Sequence, residues 1–345
     1  MKNAMQITVL MATCAVLAGL PAIAQKPPVS HAADQPAARG ALVEQFFPQR
    51  LLDFEADISA RYGDPPSRQS AFVAADLDRT GRPEYLVAAY TANDLGAIRV
   101  LKVVGSSAVL VDEPNLCPFG GRDPRVSLID LDHSGNPVIL VTLTAGSKGE
   151  EMQWIFTWDG NVLKSIGPEK DRRGRPCTDL FDASFIDLDG DGVQELIGSQ
   201  QVSLQDLREG KPLAYHVYKL IDGAYTPSGI FEYFSSFGTS GGPLGQRSET
   251  FAAAAPESQY AVTIVNGDGR DLAPVQSALI LLNGEAVTTS GQITQAVRSL
   301  KIPVTVKANN TVEVKVSGPQ GSGLWVCIGR APFPDSPVAV GAKRQ

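Results

Sequence analysis

Residues 187–195 place oxygen-bearing groups at alternating positions of one short loop. Alternating oxygen donors suit a hard cation that binds many oxygen ligands, and Gly192 permits the tight turn that brings them together. Position 12 of the loop is Gly198 and the flanking segments are strand-like, which disfavours an EF-hand. We therefore predict a Ca²⁺ site with Asp187, Asp189, Asp191, Glu195 and the main-chain carbonyl of Val193 as ligands.

The same pattern occurs three times. The segments AFVAADLDRTGRPEYLV, RVSLIDLDHSGNPVILV and ASFIDLDGDGVQELIG each place an apolar strand before Asp-Leu-Asp, and a glycine five residues after the first Asp. The first Asp of each copy is Asp76, Asp130 or Asp187. Two further strands joined by a tight turn follow each loop, for example at Asp159-Gly160 and Asp222-Gly223. Each repeat is predicted to form about four short antiparallel strands, the size of one propeller blade.

These loops resemble the FG-GAP or VCBS-type repeats of extracellular β-propellers. The resemblance covers roughly residues 71–228 and implies calcium binding in loops of this pattern. It carries over completely only to the third loop. The second loop has Ser134 and Val138 at ligand positions, so calcium is not expected there. In the first loop Thr80 replaces an Asp, and the resemblance implies a weaker site formed by Asp76, Asp78, Thr80 and Glu84.

The C-terminal part of the chain has a different pattern. Residues 258–331 alternate apolar and polar positions between turns such as Asn283-Gly284, and resemble a small Ig-like β-sandwich. The predicted fold is all-β: propeller-like four-stranded repeats in three visible copies, then this sandwich, with a short N-terminal helix. The predicted parts are a repeat domain at 41–234 with a helix at 41–62, a Gly- and Ser-rich linker at 235–257, and a loose tail at 332–345.

The N-terminal residues indicate export. Residues 1–24 combine Lys2, an apolar run and a small-residue cleavage site, the pattern of a signal peptide, and residues 25–40 are predicted to be a disordered tether. The protein is then expected in the periplasm, on the cell surface or in the medium, with no membrane insertion after cleavage. The formal net charge of -7 disfavours nucleic acid as a partner.

The cysteines fit an oxidising compartment. Cys117 lies 13 residues before Asp130, and Cys177 lies 10 residues before Asp187. Both therefore precede equivalent strands of consecutive repeats, and we predict a disulfide between them. Cys327, in the strand-like segment GLWVCIG, is predicted to remain a buried thiol.

Signals for catalysis are sparse. Ser240 in GTSGGPLG is similar to the nucleophile segment of chymotrypsin-like proteases, but Thr239 replaces that family's Asp and no His lies in a matching segment. The sequence has no HExxH, Walker or CxxC motif. We therefore expect an exported, non-enzymatic binding or adhesion protein with a protein or glycan ligand. The alternative is a calcium-dependent polysaccharide lyase or glycosidase. Trp154, Trp158 and Trp325 are expected to pack within the core or between repeats; if one of them stacks on a sugar, Trp158 is the best candidate because it lies next to a turn.

Overall fold

The structure is a computed structural model of the 345-residue chain. It describes residues 36–63, 67–93, 95–145, 150–168, 170, 173–177, 180–200, 214–239, 245–268, 272–289 and 291–330. The predicted signal peptide, the predicted tail at 332–345 and Ser240 lie outside these residues. No helix of the described part is long and apolar enough to cross a membrane.

Two helices begin the described chain, α1 (Pro36–Gln45) and α2 (Gln49–Tyr62). Pro48 precedes α2, and Gly63 ends it with a φ of 72°, a conformation that glycine adopts without strain. The helix predicted over 41–62 is therefore interrupted near Pro48, which cannot donate a main-chain hydrogen bond. Because α1 begins at Pro36, the end of the segment predicted to be a disordered tether is helical.

The first repeat is a sheet of four strands that pair antiparallel in chain order. Its strands are β1 (Arg68–Ala75), β2 (Tyr85–Ala92), β3 (Leu95–Val104) and β4 (Ser107–Asp112). All eight residues of β2 are buried, which requires cover on both faces of the sheet. The helices supply one cover, since Val43, Phe47 and Leu51 pack against Ala88 and Tyr90.

The second and third repeats have the same plan. The second contains β5 (Arg122–Ile129), β6 (Val138–Ala145), β7 (Glu150–Trp158) and β8 (Leu163–Ser165). The third contains β9 (Leu180–Ile186), β10 (Glu195–Gln200), β11 (Tyr215–Ile221) and the long β12 (Ala224–Gly238). A single residue pair, Met152 with Phe181, connects β7 of the second repeat to β9 of the third. The turn between β11 and β12 is at Asp222 and Gly223, both with positive φ, as the Asp-Gly signal predicts.

The three repeats stack face to face. One core contains Val87 and Ile98 of the first repeat with Ile139 and Phe156 of the second. The opposite face of the second repeat packs its Leu140 against the third repeat. The helices cover the outer face of the first repeat and the sandwich covers that of the third, so the described repeats form an open stack. None of the sheets closes into a barrel.

A two-sheet sandwich follows the stack. It contains β13 (Gly245–Ala252), β14 (Tyr260–Asn266), β15 (Ser277–Leu282), β16 (Glu285–Ala286), β17 (Ser299–Val304), β18 (Asn309–Ser317) and β19 (Gly323–Arg330). One sheet has the order β12-β19-β14-β17 and the other β13-β18-β15-β16. Their facing side chains, such as Val262, Ile280, Val314 and Val326, form a common core.

The segment predicted to be a linker differs from that prediction. Residues 235–257 contain the end of β12 and all of β13. β12 pairs with β11 through its first half and with β19 through its second half. One continuous strand therefore belongs to both the third repeat and the sandwich. Its composition, rich in Gly and Ser, gave no sign of this pairing.

Candidate metal centre and inter-repeat cleft

The three repeated loops are the hairpin connections between the first and second strands of each repeat. The second and third loops touch, because the amide of Gln194 donates to the carbonyl of Leu131 at 2.9 Å. In every loop the first Asp accepts a hydrogen bond from the amide of the glycine five residues later. The pairs are Asp76 with Gly81 at 2.7 Å, Asp130 with Gly135 at 3.0 Å and Asp187 with Gly192 at 3.1 Å. The repeated spacing is thus partly explained by an internal turn.

The third loop brings three carboxylates together. Oxygen atoms of Asp187, Asp189 and Glu195 lie within 4.8 Å of one another. Glu195 is the first residue of β10 and is only 2% exposed, and it accepts a hydrogen bond from the amide of Leu188 at 2.7 Å. Three converging carboxylates are a donor set that suits a hard cation, so this group could hold a metal ion.

Burial and neighbouring charges dominate the electrostatics of this group. Burial raises the pKa of Glu195 from its ordinary value of 4.5 to about 8, although the Leu188 amide favours the ionised form. The Lys219 ammonium on β11 donates to Asp189 and lies 3.9 Å from Glu195. Burial acts to lower the pKa of Lys219, but the hydrogen bond and charge of Asp189 outweigh it, and the pKa is raised. The protein thus supplies one cation of its own to the group.

One of the four predicted carboxylate ligands, Asp191, lies outside this group. The carboxylate of Asp191 accepts a hydrogen bond from the amide of Val193 at 2.7 Å, as in a short Asx turn. Asp191 is exposed and is not among the three converging carboxylates. The structure therefore brings together three of the four predicted carboxylates, Asp187, Asp189 and Glu195.

The second Asp of the first loop, Asp78, has different partners from Asp189 of the third loop. Asp78 accepts hydrogen bonds from the Tyr85 hydroxyl at 2.5 Å, the Lys102 ammonium at 3.4 Å and the Trp158 indole at 3.4 Å. The Tyr85 hydrogen bond is the main reason that the pKa of Asp78 is lowered. Trp158 belongs to the second repeat, so this contact also joins two repeats.

The first loop differs from the third in its carboxylates. Within the described part of the chain, Asp76, Asp78 and Glu84 do not form a converging acidic group. The strand register explains why Glu84 does not take the position in the first loop that Glu195 takes in the third. Ala75 pairs with Tyr85, whereas in the third repeat Ile186 pairs with Glu195. The first loop is therefore one residue longer, and Tyr85 takes the strand position that Glu195 takes in the third repeat.

Sequence reasoning missed the two lysines that face these carboxylates. Lys102 and Lys219 lie in the third strand of the first and third repeats, in the similar segments RVLKVVG and HVYKLIDG. In the second repeat, where the segment is WIFTWDG, Thr157 stands at the matching position. The sequence signal for these lysines is their shared position, a few residues before the hairpin glycine of the first and third repeats. A search for anionic ligands alone does not reveal it.

A cleft of about 250 Å³ lies where the first two loops meet. Its lining includes Asp76 and Arg79 of the first loop, Asp132 and Asn136 of the second, and Trp158. Trp158 is half-buried, whereas Trp154 is buried in the core between the first two repeats. The loop edge thus carries two separate features, the carboxylate group of the third repeat and this cleft.

The cysteines have the expected partners. Cys117 and Cys177 form a disulfide with Cα atoms 5.1 Å apart, and the amide of Cys117 donates to the carbonyl of Pro176 at 3.0 Å. The bond connects the segments before the second and third repeats. Cys327 is a fully buried thiol, and burial raises its pKa.

Comparison with known proteins shows no family. No protein-family model matches the chain. No curated protein matches it either. Among solved structures, an exo-β-1,3-galactanase from Phanerochaete chrysosporium in complex with galactose aligns over 75% of this chain and 68% of its own, with 12% identity and a TM-score of 0.22. A GH31 α-xylosidase from Xanthomonas citri aligns over 77% and 30%, with 11% identity and a TM-score of 0.21. TM-scores this low do not establish a shared fold.

Proposed function

We propose that this protein is an exported, non-enzymatic binding protein whose loops, presented by stacked repeats and supported by Ca²⁺, contact a protein or glycan ligand. The observation that carries the proposal is the loop edge of the stack. Equivalent hairpins of consecutive repeats meet there, with a cleft between the first and second and a carboxylate group in the third. Rigid strands that present adjacent loops are a common basis for binding sites.

Calcium is proposed for the third loop because all of its donors are oxygen atoms and its pattern is that of FG-GAP or VCBS-type repeats. The buried Glu195 supports a cation site, since a divalent ion would stabilise the ionised form that burial disfavours. Under this proposal Asp187, Asp189 and Glu195 hold the ion and Lys219 moves away from it. The similarity of each four-stranded repeat to a propeller blade belongs to the same proposal, although the described repeats stack openly.

Export is proposed from the N-terminal sequence pattern, and the disulfide supports it. A bond between Cys117 and Cys177 persists in the periplasm or outside the cell, where thiols are oxidised. The predicted signal peptide and the proposed calcium site fit the same compartment. Adhesion at a cell surface is one form that such binding can take.

The proposal is tested by applying the exported protein, with Ca²⁺, to glycan and protein arrays. We expect specific binding to one ligand class and no turnover of the bound ligand. Release of shortened or unsaturated sugar products would instead support the polysaccharide-active enzyme. Absence of any bound ligand on both arrays would contradict the binding function.

A further inference from the structure

The cleft is lined mainly by the first two repeats, with Leu220 and Gly223 of the third repeat, and combines an apolar floor with a polar rim. Leu131 and Ile166 in the floor are each 1% exposed. Arg79, Asp132 and Asn136 at the rim are exposed. We propose that this cleft binds one neutral sugar ring; the inference rests on the proposed function and specifies its ligand.

The size of the cleft limits the ligand. Binding sites for small molecules commonly enclose about 300 to 1,000 Å³. At about 250 Å³ the cleft lies just below this range, which fits a single ring and not an extended oligomer within it. A chain of sugars would place one unit in the cleft and the others along the loop edge.

The floor and wall match the faces of a sugar ring. A pyranose has C–H groups on its faces and hydroxyls at its edge, so it packs its face on apolar or aromatic surface. The half-buried side chains of Trp158, Pro137 and Leu220 provide the accessible aromatic and apolar surface, and Leu77, Leu131 and Val138 are buried behind it. Such surface would exclude water from the C–H face of the ring.

The indole is held in place before any ligand binds. Its N–H donates to Asp78 at 3.4 Å, and its ring centroid lies 5.5 Å from that of Tyr85 in a tilted arrangement. Asp78 is in turn held by Tyr85 and Lys102. A side chain already ordered in the free protein loses less conformational entropy on binding, which favours affinity for a small ligand.

The rim suits hydroxyls and disfavours other ligands. Asp76 and Asp132 can accept hydrogen bonds, Arg79 can donate, and Asn136 can do both, which matches a set of sugar hydroxyls. Two carboxylates against one guanidinium give the rim a formal charge of -1, which repels uronates and sulfated sugars.

The loop geometry offers a matched pair of variants. Arg79 and His133 occupy the same position of their loops and have φ values of 56° and 54°, a conformation that suits glycine. Arg79 lines the cleft, whereas His133 is exposed and does not line it. Arg79→Gly therefore removes a rim group, and His133→Gly is its control. Asn136→Trp adds bulk at the exposed rim and blocks the cleft by a different route.

The experiment uses the full exported chain with Ca²⁺. Methyl glycosides of glucose, galactose, mannose and N-acetylglucosamine are titrated by saturation-transfer NMR. Methyl glucuronide serves as the anionic comparison and Nα-acetyl-lysine amide as the cationic one. Thermal unfolding shows that each variant is folded. We expect at least one neutral glycoside to bind, with affinity about tenfold weaker in Arg79→Gly and Asn136→Trp and unchanged in His133→Gly.

Three results would overturn the inference: no neutral glycoside binds, binding is the same in all variants, or only the lysine derivative depends on the cleft. The experiment also distinguishes failure of the sugar site from failure of the proposed binding function. If an array ligand binds the chain and its affinity is unaffected by Arg79→Gly and Asn136→Trp, the sugar site is wrong but the binding function remains. If neither array yields a ligand, the binding function itself fails.

Discussion

At the scale of single residues, repeated carboxylates receive different partners in different repeats. Asp78 is stabilised by a phenol, an ammonium and an indole, whereas Asp189 is stabilised by Lys219 beside two other carboxylates. A shared Asp-Leu-Asp sequence therefore does not specify a shared set of partners. The charge around each loop decides whether a cation would find unpaired oxygens there.

The first prediction concerns calcium. We expect Ca²⁺ to raise the melting temperature of the wild type, because a ligand that binds only the folded state stabilises it by about 2.7 kcal/mol at a hundredfold excess over its Kd. Asp189→Ala should abolish most of this shift, since it removes one of the three converging carboxylates. The measurement is thermal unfolding with Ca²⁺ and with chelator.

Asp132→Ala is the control for that prediction. Asp132 occupies the same loop position in the second repeat but lies outside the carboxylate group. Its replacement should leave the calcium shift nearly intact. Equal effects of the two substitutions, or no response of the wild type to Ca²⁺, would show that the loops act only as turns.

The second prediction concerns pH in the absence of divalent ions. The pKa of Glu195 is about 8 in the folded state and near 4.5 when it is exposed on unfolding. Between these values the folded state retains a proton that the unfolded state has lost. The free energy of unfolding should therefore fall as pH rises from about 4.5 to about 8.

Glu195→Gln tests this dependence because the amide oxygen can still accept from Leu188 and the side chain no longer titrates. Chemical denaturation in chelator across this pH range should give a flatter profile for the variant than for the wild type. Two parallel profiles would show that Glu195 does not titrate in this range.

At the scale of elements, the sequence predicted most of the repeat strands. Alternating apolar residues and Asp-Gly turns are local signals, and they identify the strands of each repeat. The signal fails in three places. The register of the first repeat places Tyr85, not Glu84, at the strand position of Glu195. The strand β12 continues from the third repeat into the sandwich. The strand β13 lies in a segment whose composition is that of a linker. Each of these depends on pairing with distant strands, which local patterns do not contain.

The third prediction concerns the disulfide, which joins the segments before two consecutive repeats. Cys117 and Cys177 are 60 residues apart in sequence. Closing a loop of this length restricts the unfolded chain and should contribute about 4 kcal/mol in the chain-entropy description. A Cys117→Ser, Cys177→Ser double variant should therefore unfold at a markedly lower denaturant concentration.

The control is Cys327→Ala, which removes a buried thiol without opening a loop. Its effect should be that of a small cavity and should persist under reducing conditions. In contrast, reduction should bring the wild type close to the double variant. Non-reducing mass mapping that joins Cys327 to either of the other cysteines would contradict the pairing.

At the scale of the whole molecule, every sheet of the stack is covered on both faces. The helices cover the first repeat, each repeat covers the next, and the sandwich covers the last. On this last contact, Ile197 and Phe231 pack with Val265, Cys327 and others. A repeat that cannot bury its faces alone depends on its neighbours, so the ends require caps.

The last prediction follows from that shared cover and concerns the sandwich in isolation. A fragment of residues 258–331 matches the module that the sequence predicted. It lacks β13, which pairs with β18, and the second half of β12, which pairs with β19. The core between the two sheets would lose Phe237, which is part of it, and Phe251, which packs against it. We expect this fragment not to unfold cooperatively, whereas a fragment of residues 229–331 retains both sheets and should do so.

The thiol of Cys327 reports the difference. In the whole protein it is fully buried against the third repeat, so labelling by a thiol reagent should be slow. Labelling should be fast in the 258–331 fragment and intermediate in the 229–331 fragment, which keeps the β12 strand beside β19 but loses the rest of the third repeat. Cooperative unfolding and slow labelling of the 258–331 fragment would show that the sandwich does not need β12 and β13, and that the boundary predicted from sequence is the correct one.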